Sequence, residues 1–312
     1  MHKFLWSISA ILIIVNLEVF AQDATFQFLR LDASPRAAAL AGSYVSNNDD
    51  PNVIFYNPAG IKMLKDRPIS FSFLKHLMDI NSASFSYSQE FEDIGRFAAG
   101  IIYINYGNFI EADATGNQTG EFGAGDIAFL IGYANELDAN FYYGATIKFI
   151  YSSIADKSST GLAFDFGAHY TIPESRWNFG ISILNLGSQL SSYQNTKESL
   201  PLDIRIGLSK ELEHLPFRFY ASLNKLNEDQ DSFTDRFKQF TLGGEFKLSE
   251  TLRLRLGYDN EKRRELKIGT STGLAGINAG VGIKISDYLF DYAFSSMGKI
   301  GSLHRIGIST SL

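Results

Sequence analysis

Asp165 and His169 are the two side chains whose types and spacing first invite acid–base chemistry. Both fall on one face of a predicted strand, four residues apart. That separation spans about 13 Å at ~3.3 Å per residue, which is too far for a hydrogen bond. The other histidines are scattered along the chain, at His2, His76, His214 and His304. The sequence therefore predicts no catalytic residue, no metal site and no cofactor.

Two further stretches have a composition that could bind ligands. The glycine-rich residues 116–125 lack the lysine and the following helix of a phosphate-binding loop. The acidic residues 228–235 lack the spacing of a calcium loop. Both stretches are predicted to be solvated loops.

Composition excludes several classes of function. The chain has 312 residues, no cysteine and a formal net charge of −6. Without cysteine it has no disulfide, thiolate metal site or cysteine nucleophile. An acidic chain does not present the basic surface that nucleic-acid binding needs. The 26 Phe, 15 Tyr and 27 Gly favour strands over helices.

The N-terminus has the pattern of a cleaved signal peptide over residues 1–21. An apolar run from Phe4 to Val15 follows a weakly basic start. Cleavage between Ala21 and Gln22 is expected. The run is shorter than the roughly 20 residues of a spanning helix, although an N-terminal anchor helix is the alternative. We expect export to the outer membrane of a Gram-negative-type bacterium.

Alternation of apolar and polar side chains dominates the rest of the sequence, as residues 141–151 and 162–172 illustrate. This period of two is that of a strand. The alternating segments run about 10 to 13 residues, longer than soluble strands and close to the length that crosses a membrane with tilt. Aromatic residues lie near segment ends, where an interfacial girdle is expected.

These segments predict an all-β fold, an antiparallel transmembrane β-barrel of about fourteen strands over residues 69–312. An even number lets such a barrel close. Residues 107–122, 188–201 and 228–236 are predicted to be extracellular loops. The predicted strands are 69–75, 80–91, 95–106, 123–136, 140–153, 160–172, 176–187, 202–213, 216–227, 237–248, 251–260, 276–285, 287–297 and 302–312.

Charged and polar residues occupy the face predicted to line the lumen. They could guide a ligand or hold a plug, or they could form ion pairs that solvate the interior; the second interpretation is favoured because barrel interiors are commonly polar. The candidates are Lys148, Asp165, His169, Arg205, Arg218, Glu245, Arg253, Arg255, Asp259 and Asp291.

Residues 22–68 do not alternate and are predicted to form a short helical and irregular segment. Ser34 and Pro35 mark a helix start, and the residues of 57–60 form a preset corner. A fourteen-stranded barrel is too wide to be filled by its own side chains. This segment is therefore predicted to be a plug or periplasmic collar, with a surface loop as the alternative. The corner is expected to turn the plug into the first strand at the periplasmic mouth.

Motifs in this segment resemble the N-terminal signature of the PorV/PorQ family, within the barrels typified by the long-chain fatty acid transporter FadL. They lie at 26–29, 36–42, 49–50 and 55–60. The resemblance implies a fourteen-stranded outer-membrane barrel, and for PorV and PorQ a role in the type IX secretion system. The residues to which it gives a plug and binding role are Arg36, Asp49, Asp50, Asn57, Pro58, Ala59 and Gly60.

Two functions follow, neither of them enzymatic. The first assists protein secretion, with secretion-system proteins or cargo carrying a C-terminal signal domain as partners. The alternative is a FadL-like transporter of hydrophobic small molecules. Both imply contact with outer-membrane lipid and none with nucleic acid.

Overall fold

Fourteen strands close into a single barrel. The computed structural model describes residues 24–228, 233–266 and 273–312; the predicted signal peptide and its cleavage site lie outside this range. Each strand pairs antiparallel with its neighbours in the chain, and β14 pairs with β1, from Pro68 opposite Ser311 to Lys75 opposite His304. The predicted fold class, a fourteen-stranded antiparallel barrel with an N-terminal plug, is confirmed.

The strand boundaries agree with the alternation to within a few residues at most positions. The strands are β1 Pro68–Lys75, β2 Asn81–Phe91, β3 Gly95–Ala112, β4 Gln118–Asp138, β5 Phe141–Ile154, β6 Lys157–Ile172, β7 Trp177–Ser191, β8 Asp203–Glu211, β9 Phe217–Leu223, β10 Phe240–Lys247, β11 Leu252–Asp259, β12 Ile277–Ile285, β13 Tyr288–Ser296 and β14 Ser302–Ser311.

The prediction of a loop over residues 107–122 is wrong. After a bulge between Asn105 and Asn108, the β3–β4 ladder resumes and continues to Ala112 opposite Gln118. Strand pairing across a hairpin needs no apolar alternation, so a polar, glycine-containing stretch extends the ladder. Residues 107–122 therefore form a two-stranded projection, called the tongue.

The wall is apolar outside and small or polar inside. Many of the large apolar side chains that remain exposed on the strands point away from the lumen, as in a wall surrounded by hydrocarbon. Examples are Phe71, Phe129, Phe149, Phe166, Leu254 and Phe290. Among the described residues, no helix is long and apolar enough to cross a membrane.

The two ends of the barrel differ in their links. One end carries short turns such as 92–94, 139–140 and 286–287, and the other carries the longer link 192–202. The predicted extracellular loop over residues 228–236 lies partly outside the described residues. Outer-membrane barrels have short periplasmic turns and longer extracellular loops, so we name the two ends accordingly. The wall is also uneven, since β4 has 21 residues and β9 has 7.

Residues 24–67, the plug, run through the lumen from the extracellular to the periplasmic end. Near its start, the backbone N–H of Thr25 donates to Ser199 O in an extracellular link (3.0 Å). At its end, Arg67 O accepts from the N–H of Leu312 (3.1 Å). The plug contains the helix Pro35–Ala39 and the 3₁₀ turns Gln27–Arg30, Pro51–Phe55 and Pro58–Met63. Further short turns are the 3₁₀ segments Pro173–Ser175 and Phe233–Lys238 and the helix Asn260–Glu265.

The helix of the plug begins where the sequence predicts it. Pro35 is its first residue, and the Ser34 hydroxyl accepts from the N–H of Ala37 (3.1 Å), satisfying a donor that the first turn leaves free. The hydrophobic core lies between plug and wall. It includes Leu40 and Ile54 of the plug and Leu130 and Ile150 of the wall, each at most 1% exposed.

Candidate functional site

Glycines on the inner face of the wall make room for the plug. A Cβ at Gly144 of β5 would lie 2.5 Å from the carbonyl of Pro58, and one at Gly257 of β11 would lie 2.5 Å from the N of Ala41. Such approaches are possible only where the wall residue has no side chain. The other wall glycines whose Cβ would press on the plug are Gly100, Gly132, Gly161, Gly167, Gly180, Gly207, Gly243, Gly280 and Gly307.

The predicted corner at residues 57–60 lies inside the barrel, against β5, β6 and β7. The Asn57 side chain accepts from the N–H of Ala59 (3.1 Å) and donates to Val45 O (2.8 Å) and to Ala168 O of β6 (3.1 Å). It thus ties the corner both to the plug and to the wall. After the corner, the rest of the Pro58–Met63 turn and residues 64–67 lead into β1. That the corner fixes the plug at the periplasmic mouth stays a prediction.

Arg36 is the centre of a buried ion network between plug and wall. Its side chain is 2% exposed. Two of its nitrogens donate to the two carboxylate oxygens of Glu245 on β10, at 3.0 and 2.8 Å. A third contacts Asp49 of the plug at 2.8 Å and lies 3.8 Å from Asp50. Bidentate pairing of this kind fixes direction as well as distance.

The network continues along the wall in two directions. Glu245 also accepts from Arg255 of β11 (2.6 Å), which in turn contacts Asp291 of β13 (2.5 Å). On the other side, Arg218 of β9 contacts Asp49 (2.9 Å) and Glu211 of β8 (2.9 Å). One plug arginine is therefore coupled to charges on several strands.

Asp49 stays ionised in this setting. Confinement inside the wall disfavours its charged form, but the attraction of Arg36, and next that of Arg218, outweighs this effect and places the pKa of Asp49 well below its usual value. The pKa of Arg36 is raised above its ordinary range: burial opposes the charge, while Asp49 and Glu245 favour it more strongly. Both partners of the pair are thus charged.

Asp165 and His169 do not meet. Asp165 pairs with Lys148 of β5 (2.8 Å), and Lys148 also donates to Asn185 Oδ1 (2.7 Å). His169 is 1% exposed, and its ring lies next to the Asn178 side chain. The two residues suggested by type therefore have different neighbours and do not form a pair.

The remaining predicted lumen residues lie at other points of the interior. Arg205 contacts Asp203 on its own strand (2.7 Å). Asp259 caps the helix Asn260–Glu265 through the N–H of Lys262 (3.0 Å). Arg253 is half-buried and belongs to none of the ion pairs seen in the described part of the chain. The predicted set does not form one site.

A cleft of about 970 Å³ opens at the extracellular end of the lumen. The start of the plug lines it with Phe26 and Gln27, and the tongue contributes Phe109 and Phe122. These two tongue rings stack with centroids 5.3 Å apart. The remaining lining residues are Tyr106, Ala124, Asp126, Ser152, Ser153, Ile154, Ala155, Asp156, Lys157, Gln189, Tyr193, Gln194, Thr196 and Glu198.

The sequence gives no direct indication of this cleft. Its residues come from the plug, β3–β7 and the following link, and the segment of the tongue was predicted to be a loop. One available signal was the spacing of Phe109 and Phe122 across a turn-forming stretch, which suits a hairpin pair. No group of three or more metal-ligating side chains lies together in the described ranges.

The fold is that of known outer-membrane barrels. No protein-family model matches the sequence, and no curated protein is similar to it. Two toluene transporters, TbuX of Ralstonia pickettii and TodX of P. putida, each share 11% identity and a TM-score of 0.58; they align over 88% and 89% of this chain and 96% and 98% of their own.

A third solved structure, a Pseudomonas aeruginosa FadL homologue, gives the same TM-score of 0.58 at 9% identity, over 89% of this chain and 98% of its own. At these identities the likeness concerns architecture. The chain therefore has the fourteen-stranded fold of FadL-like outer-membrane barrels.

Proposed function

We propose that this protein is an outer-membrane barrel that takes up small apolar molecules from outside the cell. The observation that carries the proposal is the extracellular cleft of about 970 Å³, which the start of the plug borders. Its lining combines five aromatic side chains with polar ones, and most of the lining surface is apolar. Concave sites with a mainly apolar lining and a few polar groups are typical of small-molecule binding. The toluene transporters that share this fold support the same class of ligand.

The plug acts as the gate in this proposal. Below the cleft, plug residues such as Leu40, Val53 and Ile61 are fully buried, so a molecule needs a change in plug packing to pass. The Arg36 network and the glycine contacts hold the closed arrangement. Ligand binding next to Phe26 would bear directly on the segment that has to move.

Ethylbenzene binding to the purified barrel tests the proposal. Ala124 lines the cleft, so Ala124→Trp fills it and should abolish binding and uptake into liposomes. Ala99 faces outward on β3, and Ala99→Trp is the matched control with the same chemical change. Equal binding by both variants would exclude this cleft as the entry site.

A role in protein secretion is the second candidate, carried by the N-terminal motifs that resemble those of PorV and PorQ. Several motif residues already have a structural task here: Arg36 and Asp49 pair within the ion network, and Asn57 fixes the corner. The motifs thus support a plugged barrel of this group more directly than a secretion role. We therefore rank secretion below transport.

Affinity purification from gently solubilised outer membranes, with bound proteins and lipids identified by mass spectrometry, separates the two candidates. A large translocon barrel or secreted proteins with a shared C-terminal domain would favour secretion. A barrel recovered alone with apolar molecules would favour transport.

A further inference from the structure

The cleft contains a buried carboxylate, that of Asp126 on β4. The residue is 7% exposed and lines the cleft. One carboxylate oxygen accepts from the hydroxyl of Tyr106 (2.6 Å), and the other accepts from the hydroxyl of Ser152. The hydroxyl of Tyr193 donates to Ser152 in turn. Hydroxyl groups therefore orient the carboxylate without neutralising it.

Other buried carboxylates of the barrel have a cationic partner. Glu245 contacts Arg255 at 2.6 Å, Asp165 contacts Lys148 at 2.8 Å, and Asp203 contacts Arg205 at 2.7 Å. Across the described ranges, no ion pair joins Asp126 to a lysine, arginine or histidine. Burying an unpaired charge is unfavourable, so a positive group from outside the chain would be stabilised here.

The carboxylate also has unused hydrogen-bonding capacity. An ionised carboxylate has about four lone-pair positions, and the two hydroxyl groups occupy two of them. An ammonium group can supply up to three donors at such a site, whereas a second carboxylate supplies none and repels the first. The chemistry of the site therefore distinguishes ligands by the sign of their polar group.

The rest of the lining suits a cation with an apolar body. Tyr106, Tyr193 and Phe26 present aromatic rings, whose faces attract positive charge. Lys157 contributes the one amine of the lining, and its side chain is exposed; Asp156 and Glu198 add two more carboxylates. With Asp126, the lining has three acidic side chains and one basic side chain.

We propose that the cleft selects apolar amines, which have an aromatic or aliphatic body and a positively charged nitrogen that binds Asp126. This inference rests on the proposed function, since it specifies the ligand of the same cleft. It separates the protein from a carrier of fatty acids, whose carboxylate would meet an uncompensated negative charge.

Three probes with the same phenylethyl body test this selection: 2-phenylethylammonium, ethylbenzene and 3-phenylpropanoate. Binding to the full-length barrel in detergent is measured by calorimetry at neutral pH. We expect the ammonium probe to bind about tenfold more tightly than ethylbenzene, and 3-phenylpropanoate to bind most weakly. In Asp126→Asn, the three affinities should converge, because the charge that separates them is gone.

Glu121→Gln is the matched control, because it removes a carboxylate from an exposed position of β4 that does not line the cleft. It should retain the preference for the amine. If 3-phenylpropanoate binds as tightly as the amine while ethylbenzene still binds, the charge selection is wrong and the uptake proposal stands. If none of the three probes binds the unmodified protein, the proposed function fails together with the inference.

Discussion

The centre of the lumen and the extracellular cleft are both formed by the plug and the strands, but they differ in their buried charges. Those in the centre have ionic partners, and the buried carboxylate of the cleft has none in the described ranges. In the centre, Arg36 of the plug is paired with Asp49 and Glu245, and Glu245 is paired again with Arg255. In the cleft, Asp126 contacts only hydroxyl groups. Paired charges fix the plug in one position, whereas an unpaired charge leaves a binding opportunity for a ligand.

Replacing Arg36 tests the paired region and should have the largest effect. Arg36→Met leaves Glu245 and Asp49 without their main plug partner, and breaking such a buried pair costs about 3–5 kcal/mol. We expect the plug to become sensitive to added protease and the thermal midpoint of the purified barrel to fall. Arg264→Met, at an exposed position, is the control and should change neither.

The glycine contacts provide the next test. In Gly144→Ala, the new Cβ would lie 2.5 Å from the Pro58 carbonyl, and overpacking of this kind costs about 1–3 kcal/mol. In Gly123→Ala, the nearest atom would be 3.9 Å away. The first variant should lower the thermal midpoint and expose the plug to protease, and the second should not. Equal thermal midpoints and equal protease sensitivity of the two variants would show that β5 can shift to accommodate a Cβ at Gly144.

The pH dependence of the stability that Asp49 contributes should be a smaller effect than that of either substitution above. In the folded protein, burial raises the pKa of Asp49, but the attraction of Arg36 and Arg218 lowers it more, so the net pKa is depressed. Its stabilisation is therefore present above the unfolded pKa of about 4 and is lost as the pH falls below that value. Since Asp49 is 37% exposed, solvent screening limits the contribution to about 1 kcal/mol.

The corresponding experiment compares the thermal midpoints of the unmodified protein and Asp49→Asn from pH 8 down to pH 2. The difference between them should be constant near neutrality and should shrink below about pH 4. A difference that grows on acidification would contradict the assigned pairing.

Asp126→Asn should have the smallest effect on stability. Its carboxylate has no cationic partner in the described ranges, so neutralising it removes an unfavourable buried charge. The amide oxygen can still accept from one of the two hydroxyl groups, and the other hydroxyl can turn to accept from the amide NH2. We expect a change in unfolding free energy within about 0.5 kcal/mol, or a slight stabilisation. A loss as large as that of Arg36→Met would mean that Asp126 holds the structure together, and the contrast between the two regions would disappear.

Alternation alone was sufficient to predict the barrel. Each strand lies between hydrocarbon and a filled interior, so its alternate side chains are apolar towards the hydrocarbon and small or polar towards the interior. It also identified the inner-face residues Lys148, Glu245 and Arg255. It could not predict their partners, since Arg36 and Glu245 are 209 positions apart. The tongue escaped prediction because its pairing depends on a bulge that resets the register at Asn108.

The cleft depends on still longer-range geometry. Phe26, Phe109 and Tyr193 belong to the plug, the tongue and an extracellular link, and only closure of the barrel brings them together. The N-terminal motifs indicated a barrel group correctly at the level of architecture. Their resemblance to secretion components says less about what the protein binds. Motif residues such as Asn57 make contacts that hold the plug against the wall, which a barrel of either function needs.

The close fit between glycines and plug has a consequence for assembly. Gly257 and Gly280 on one side of the barrel and Gly100 and Gly144 on another leave no space for the plug to slide past side chains in a finished wall. The plug precedes β1 in the sequence, whereas the wall closes only when β1 pairs with β14. We therefore expect an order in assembly, in which the strands surround the plug before β14 pairs with β1.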